Sequence, residues 1–228
     1  MNNRELPDLI LKGVSDAGGG AYGVVKIEGM AKVHGDVSAV TFTADGHLRV
    51  NGGVTAERFE LNGKMTAAGA LRGGHLRFNG HTTVKGSVSG EHLSLNGLLS
   101  ASGDCECELF EGEGGFEVGG LLSAGTLNVK LHGRGAAREI GVETIVVRQA
   151  GKSAWNKLWK WLFPKFSPEL RADTIEGDNI DVEHTIADVI RGSRVSIGKG
   201  CVVGRVEYKG DLRAHPSAVI KERVKTDE

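Results

Sequence analysis

Aromatic residues make up only 5% of this 228-residue chain, and it has just four prolines and three cysteines. No apolar stretch approaches the ~20 residues that a membrane-spanning helix needs, so no such helix is expected. The first twelve residues hold only a short apolar run around Leu9 to Leu11, too short for the core of a secretory leader. With no leader and an odd number of cysteines, a reducing cytoplasm is the expected compartment. Neither sign of charge dominates. The 28 basic and 29 acidic residues leave a net charge of −1, which predicts no global attraction to nucleic acid. A length of 228 residues is enough for one sizeable core or two small ones, and the hydrophobic fraction of 39% with the balanced charge argues against wholesale disorder.

Glycine is what the chain has in excess, 35 residues of it, without the G-X-Y period of collagen. Gly29, Gly46, Gly63, Gly80, Gly97 and Gly114 recur at every seventeenth position, and Gly35, Gly52, Gly69, Gly86, Gly103 and Gly120 repeat that spacing six positions later. A third slot always holds a small side chain: Ala39, Ala56, Gly73, Gly90, Cys107, Ala124. Another holds Phe42, Phe59, Leu76, Leu93, Phe110 and Leu127. The apolar slots fall in pairs two positions apart, so each pair reads as one short strand with its inner face buried. Between pairs the phase breaks and the chain must turn. Three strands and three turns make one triangular rung of about 17 residues, and parallel stacking of rungs lays like upon like. Phe42, Phe59, Leu76, Leu93, Phe110 and Leu127 are the expected core ladder, and Asn62, Asn79 and Asn96 an outer or corner ladder. An antiparallel meander is the alternative, but it has no need of one residue class at every seventeenth position.

The pattern enters near Val25 and Ile27, runs to about Val129 and slips by one position before Ile140, Val142, Ile145 and Val147. Residues 149–170 change period. Trp155, Leu158, Trp159 and Leu162 follow helical spacing, Trp161 and Phe163 add to the apolar content, and Lys157 and Lys160 stand among them, with Pro164 as the stop. This short amphipathic helix is expected either to lie in a membrane interface or to cap the solenoid. After Arg171 the β pattern resumes with looser length. The expected organisation is therefore a flexible glycine-rich segment (1–23), a first β-helix segment (24–148), the Trp/Lys helix (149–170), a second β-helix segment (171–217) and a polar, frayed tail (218–228). The expected end-stacking surfaces are Val25 and Ile27 at one end and Val206 and Tyr208 at the other.

No catalytic, cofactor or metal site is assigned. Gly18 to Gly23 spells G-x-G-x-x-G, but a strand follows where a dinucleotide site needs a helix, so a flexible linker is expected. Gly151-Lys152-Ser153 lacks the first glycine of a phosphate loop. Cys105 and Cys107 form a C-x-C, but both fall on inward slots without a second pair, and Cys201 stands alone. His75 and His92 share a slot on adjacent rungs and are expected to be solvated rather than metal-bound. Glu57, Glu91 and Glu108 are scattered over outward slots, with no paired-acid or triad arrangement.

The repeated turns VKIEGMAKVHGDV (25–37), HLRVNGGVTAERFELNG (47–63) and HLRFNGHTTVKGSVSGEHLSLNG (75–97), after their Gly-rich entry, resemble the bactofilins, bacterial polymer-forming cytoskeletal proteins. The likeness spans about residues 22–131. It implies a right-handed β-helix that polymerises end to end without nucleotide. It also implies a place at the inner face of the cytoplasmic membrane or the cell envelope, serving shape, motility or wall assembly. The partners so implied are further copies of the chain, membrane lipid and envelope or motility proteins. The Trp/Lys helix and the second β segment depart from the family pattern. Two rivals are an acyltransferase of the hexapeptide type, suggested by Ile197-Gly198 and Val203-Gly204, and a monomeric solenoid that binds ligands on its outward ladders.

Overall fold

The computed structural model describes residues 6–150 and 168–226. Every element among them is a strand: β1 (Leu9–Val50), β2 (Val54–Ala67), β3 (Leu71–Val84), β4 (Val88–Ala101), β5 (Cys105–Gln149), β6 (Leu170–Val182), β7 (Thr185–Ile197), β8 (Val202–Ala214) and β9 (Val219–Lys225). The protein is an all-β parallel solenoid, and the longest strands run on through corners. The chain divides into two compact units, Met1–Cys107 and Glu108–Glu228.

In the first unit β1, β2, β3 and β4 pair in sequence order, all parallel, and each residue meets the one seventeen positions further on. Phe42 pairs with Phe59, Phe59 with Leu76 and Leu76 with Leu93, so the expected core ladder is a physical column. All four are buried, and the Phe42 and Phe59 rings lie 5.2 Å apart. Alternation does this work. Phe59, Leu61, Met65 and Ala67 face the core, while Arg58, Glu60 and Thr66 face outward. Corners need glycine for a specific reason. Gly63 and Gly80 have φ near +137° and +131°, and a side chain on Gly80 would collide with the Gly63 carbonyl oxygen.

In the second unit β5 to β9 likewise pair in order and in parallel. Here the rung length varies. Leu170 pairs with Thr185, a step of fifteen; Ile190 pairs with Val206, a step of sixteen; Val195 pairs with Leu212, a step of seventeen, with an irregularity between Gly192 and Arg194. Ile140 pairs with Ile175, from the far side of residues 151–167, and β6 lies directly against β5. The second β segment therefore continues the stack of its own unit. Phe110 and Leu127 are buried in this unit.

Three expectations are corrected. The stretch read as a flexible segment, 1–23, is strand from Leu9 onward, because residues 7–22 form a rung of their own. Gly23 donates to the Pro7 carbonyl at 2.9 Å, and a side chain on Gly29 would strike Gly13. Gly18 to Gly23 is part of this rung and not a linker. The tail read as frayed from residue 218 holds β9, which pairs with β8 from Val202↔Val219 to Tyr208↔Lys225. Val25, Ile27 and Val206 are buried inside the stack, and Tyr208 is partly covered, so none of the four forms an end surface. An extra rung covers each set, built from sequence that looked too glycine-rich or too charged to form one. The Trp/Lys helix expected over 149–170, with Trp155, Lys157, Leu158, Trp159, Lys160, Trp161, Leu162 and Phe163, falls outside the described residues except at its flanks.

Candidate functional site

The solenoid presents its side chains as rows, so candidate sites are outward rows, corners and edges. The Asn row is where the repeat placed it, and it begins one rung earlier than expected. Asn62 Nδ2 donates to Asp45 Oδ1 at 2.7 Å, and Asn79 Nδ2 to Asn62 Oδ1 at 2.8 Å. Asp45 is legible as a row member only because a carboxylate can accept what an amide donates.

His75 and His92 are neighbours, with ring centroids 6.0 Å apart in an edge-to-face arrangement. They line a depression of about 440 Å³ with Thr41, Thr43, Arg58, Glu60, Arg77 and Ser94. No group of three or more metal-ligating side chains occurs among the described residues. Cys105, Cys107 and Cys201 are buried, as inward slots require. The Cys105 thiol is pushed well above its usual value by its hydrogen bond with Cys107 and then by burial. Burial likewise pushes up Cys201, whose Sγ donates to the Val182 carbonyl at 3.3 Å. Neutral, enclosed thiols are poor nucleophiles and poor metal ligands.

Outward ion pairs run along the rows of the second unit. Glu113 meets His132 at 2.8 Å and Lys130 at 3.3 Å, and the His132 contact foremost holds its carboxyl below the usual range. Arg191, with Arg205, does the same to Glu207. Most of these contacts join residues on adjacent rungs, so they tie rung to rung rather than build a pocket.

The residues that flank 151–167 are held by backbone and side-chain hydrogen bonds. Ala150 donates to the Leu131 carbonyl, Gly135 to the Glu169 carbonyl, and the Gln149 amide to the Pro168 carbonyl at 3.2 Å. The Arg148 guanidinium binds the Asp181 carboxylate beside them. Both flanks of the Trp/Lys segment therefore sit at one corner, between two successive rungs.

At the N-terminal edge of the described coil, Leu9 and Leu11 are half-exposed, although their counterparts one rung later, Val25 and Ile27, are buried. Ile10 is 59% exposed. At the other edge Ile220 follows the Val203 row, but Arg223 and Lys225 follow the rows of Val206 and Tyr208.

No family model matches the chain, and no solved structure matches it. Two relatives come from Bacillus subtilis (strain 168). The chain is 36% identical over 107 residues to the uncharacterized protein YhbF, a match covering 46% of this chain and 42% of that one. It is 37% identical over 110 residues to the uncharacterized protein YhbE, covering 48% and 44%. The match thus spans less than half the length of either relative.

Proposed function

We propose that the protein is a non-enzymatic scaffold of the bactofilin kind, assembling edge to edge without nucleotide on the cytoplasmic side of the cell envelope. The observation that carries this reading is the N-terminal edge of the described coil. Among the described residues β1 is the first strand of the sheet, no strand precedes its Leu9–Leu11 stretch, and the half-exposed Leu9 and Leu11 are side chains that one more rung would bury. A strand edge of this kind pairs with another strand, and the natural supplier is a second copy. In the second unit, β9 carries Lys221, Arg223 and Lys225, the sort of charged edge that discourages indiscriminate pairing. The rung-like regularity of the first unit favours a structural role over a chemical one, because its outward rows hold repeated polar groups rather than one convergent cluster. The described flanks of the Trp/Lys segment, Ala150 and Pro168, lie between successive rungs of the second unit and not at an end of it, which supports a lipid contact for the segment over the role of an end cap.

Negative-stain microscopy of the purified full chain without nucleotide tests the assembly. Filaments or sheets are expected, and Leu9→Lys with Leu11→Lys should abolish them while the circular dichroism of strand is kept. A monodisperse monomer at high concentration in physiological buffer would overturn the reading.

A further inference from the structure

One side of the first unit is cationic in a way that neither composition nor net charge reveals. The side lies between two glycine corners, Gly29, Gly46, Gly63, Gly80 and Gly97 at one and Gly35, Gly52, Gly69, Gly86 and Gly103 at the other. Its five strand segments are residues 30–35, 47–52, 64–69, 81–86 and 98–103. His47, Lys64, His81 and Leu98 form one outward row in register, and Arg49, Thr66, Thr83 and Ser100 the next. Lys32 stands one rung before Arg49, where Asn51 donates to the Val33 carbonyl, and Lys85 stands at the second corner, its backbone N–H donating to the Ala67 carbonyl.

Not one aspartate or glutamate occurs in these five segments. Among the described residues, the carboxylates of the first unit lie on the other two sides or at corners, with the exception of Asp16 in the first rung, which faces His34 at 3.4 Å. Of the corner acids beside the cationic side, Glu28 is bound to Lys26 and Lys12, Asp45 accepts from Asn62, Asp36 accepts from the Gly53 amide, and Asp104 follows Gly103 at the second corner. Lys32, Arg49, Lys64 and Lys85 have no ion-pair partner among the described residues. Balanced composition would scatter acids among them, and pairing from one rung to the next would neutralise them as it does Lys130 and Glu113 in the second unit.

The shape of the side selects among anionic partners. Strands stack at about 4.8 Å, so five rungs give a flat plate roughly 20 Å long. It has no groove to follow a single polymer and no exposed aromatic ring on which a base could stack. At its N-terminal margin the same row continues into exposed apolar side chains, Met30 at 55% and Val14 at 81%. A plane of cations with an apolar margin matches a plane of anionic headgroups over acyl chains.

We infer that this side docks flat on an anionic lipid bilayer. The inference goes beyond the assembly reading and does not need it, since the side is present on every copy whether or not copies join. It is also separate from the Trp/Lys segment, which belongs to the other unit.

Co-sedimentation of the full chain with phosphatidylglycerol/phosphatidylcholine vesicles, against pure phosphatidylcholine vesicles, tests it. Binding should require the anionic lipid and weaken with salt. Each basic residue at such a surface contributes roughly a fivefold gain in affinity, so Lys32→Gln with Arg49→Gln, Lys64→Gln and Lys85→Gln should lower it at least tenfold. The double variant Lys64→Gln with Lys85→Gln should fall in between, and it serves if the quadruple variant loses its strand circular dichroism. Neutralising four cations on the other sides, Lys26, Arg58, Arg72 and Arg77, should leave binding within about twofold. Trp155→Ala with Trp159→Ala and Trp161→Ala should leave a salt-sensitive component. Equal loss in both charge variants, no loss in the first, or tighter binding to duplex DNA than to the anionic vesicles would each overturn the inference. Filament formation by the quadruple variant would separate its failure from that of the assembly reading.

Discussion

The two units solve the same geometric problem with different perimeters. In the first, every rung from Val37 to β4 advances by seventeen positions, and the column inside is Phe42, Phe59, Leu76 and Leu93, with Phe78, Met65 and Leu48 on neighbouring slots. In the second, the step shrinks to fifteen between β6 and β7, where the inward residues are Ile175, Ile180, Ile190, Val195 and Ala187, with no phenylalanine. A shorter perimeter encloses less volume, so the core must be lined by smaller, β-branched side chains to reach close-packed density. Corners differ as well. The first unit turns on glycines with φ between 119° and 143° at Gly29, Gly46, Gly63, Gly80 and Gly97. The second turns one corner on His184, at φ 47°. Rung length is thus a property of core volume and corner chemistry together, and a coil can change it along its length without losing parallel pairing.

The largest effect is expected at a corner of the first unit. Gly80→Ala places a methyl group on the Gly63 carbonyl at a backbone angle that L residues rarely adopt. It should cost about 3–5 kcal/mol in denaturant unfolding. Gly141→Ala, in the second unit, meets only Leu121 at 3.9 Å. It should change stability by less than about 0.5 kcal/mol. Enlarging the same kind of slot in both units tests whether perimeter sets core size. Ile190→Phe overfills one of the short rungs and should cost about 2 kcal/mol, whereas Leu76→Phe, beside Phe59 in one of the longer rungs, should cost about half as much. Equal costs would mean that perimeter does not govern core size. A further substitution is expected to give a gain. Thr82 is fully buried between Met65 and Leu99, and its hydroxyl has no hydrogen-bond partner among the described residues. Thr82→Val keeps the shape, removes the orphan and should raise stability by about 1 kcal/mol by the same unfolding measurement.

Much of this was legible beforehand because a solenoid is nearly one-dimensional. When each turn of chain returns to the same place, a sequence period is a spatial axis, and the Phe42 column, the Asn62–Asn79 row, the His75–His92 pair and the burial of Cys105 and Cys107 follow from counting. Counting failed where the residue class changed but the backbone did not. Leu9 to Gly20 keeps the coil with a turn one position shorter and hardly any bulk, and Val219 to Lys225 keeps it with Arg223 in a row of buried valine and isoleucine. In both places the rung is held by the neighbour it pairs with, which no local pattern records.

The period, the inward-facing residues and the side chains that stack all follow from residue order alone, because backbone pairing in register forces equal positions together. How far the coil extends, that β6 pairs with β5 across the interval of residues 151–167, and which sides of a rung carry which charges emerge from the folded chain. Those depend on pairing between strands far apart in the chain and on where each corner turns the backbone. A change of a single position in corner length redirects every outward side chain that follows without altering the apolar pattern that announces the fold.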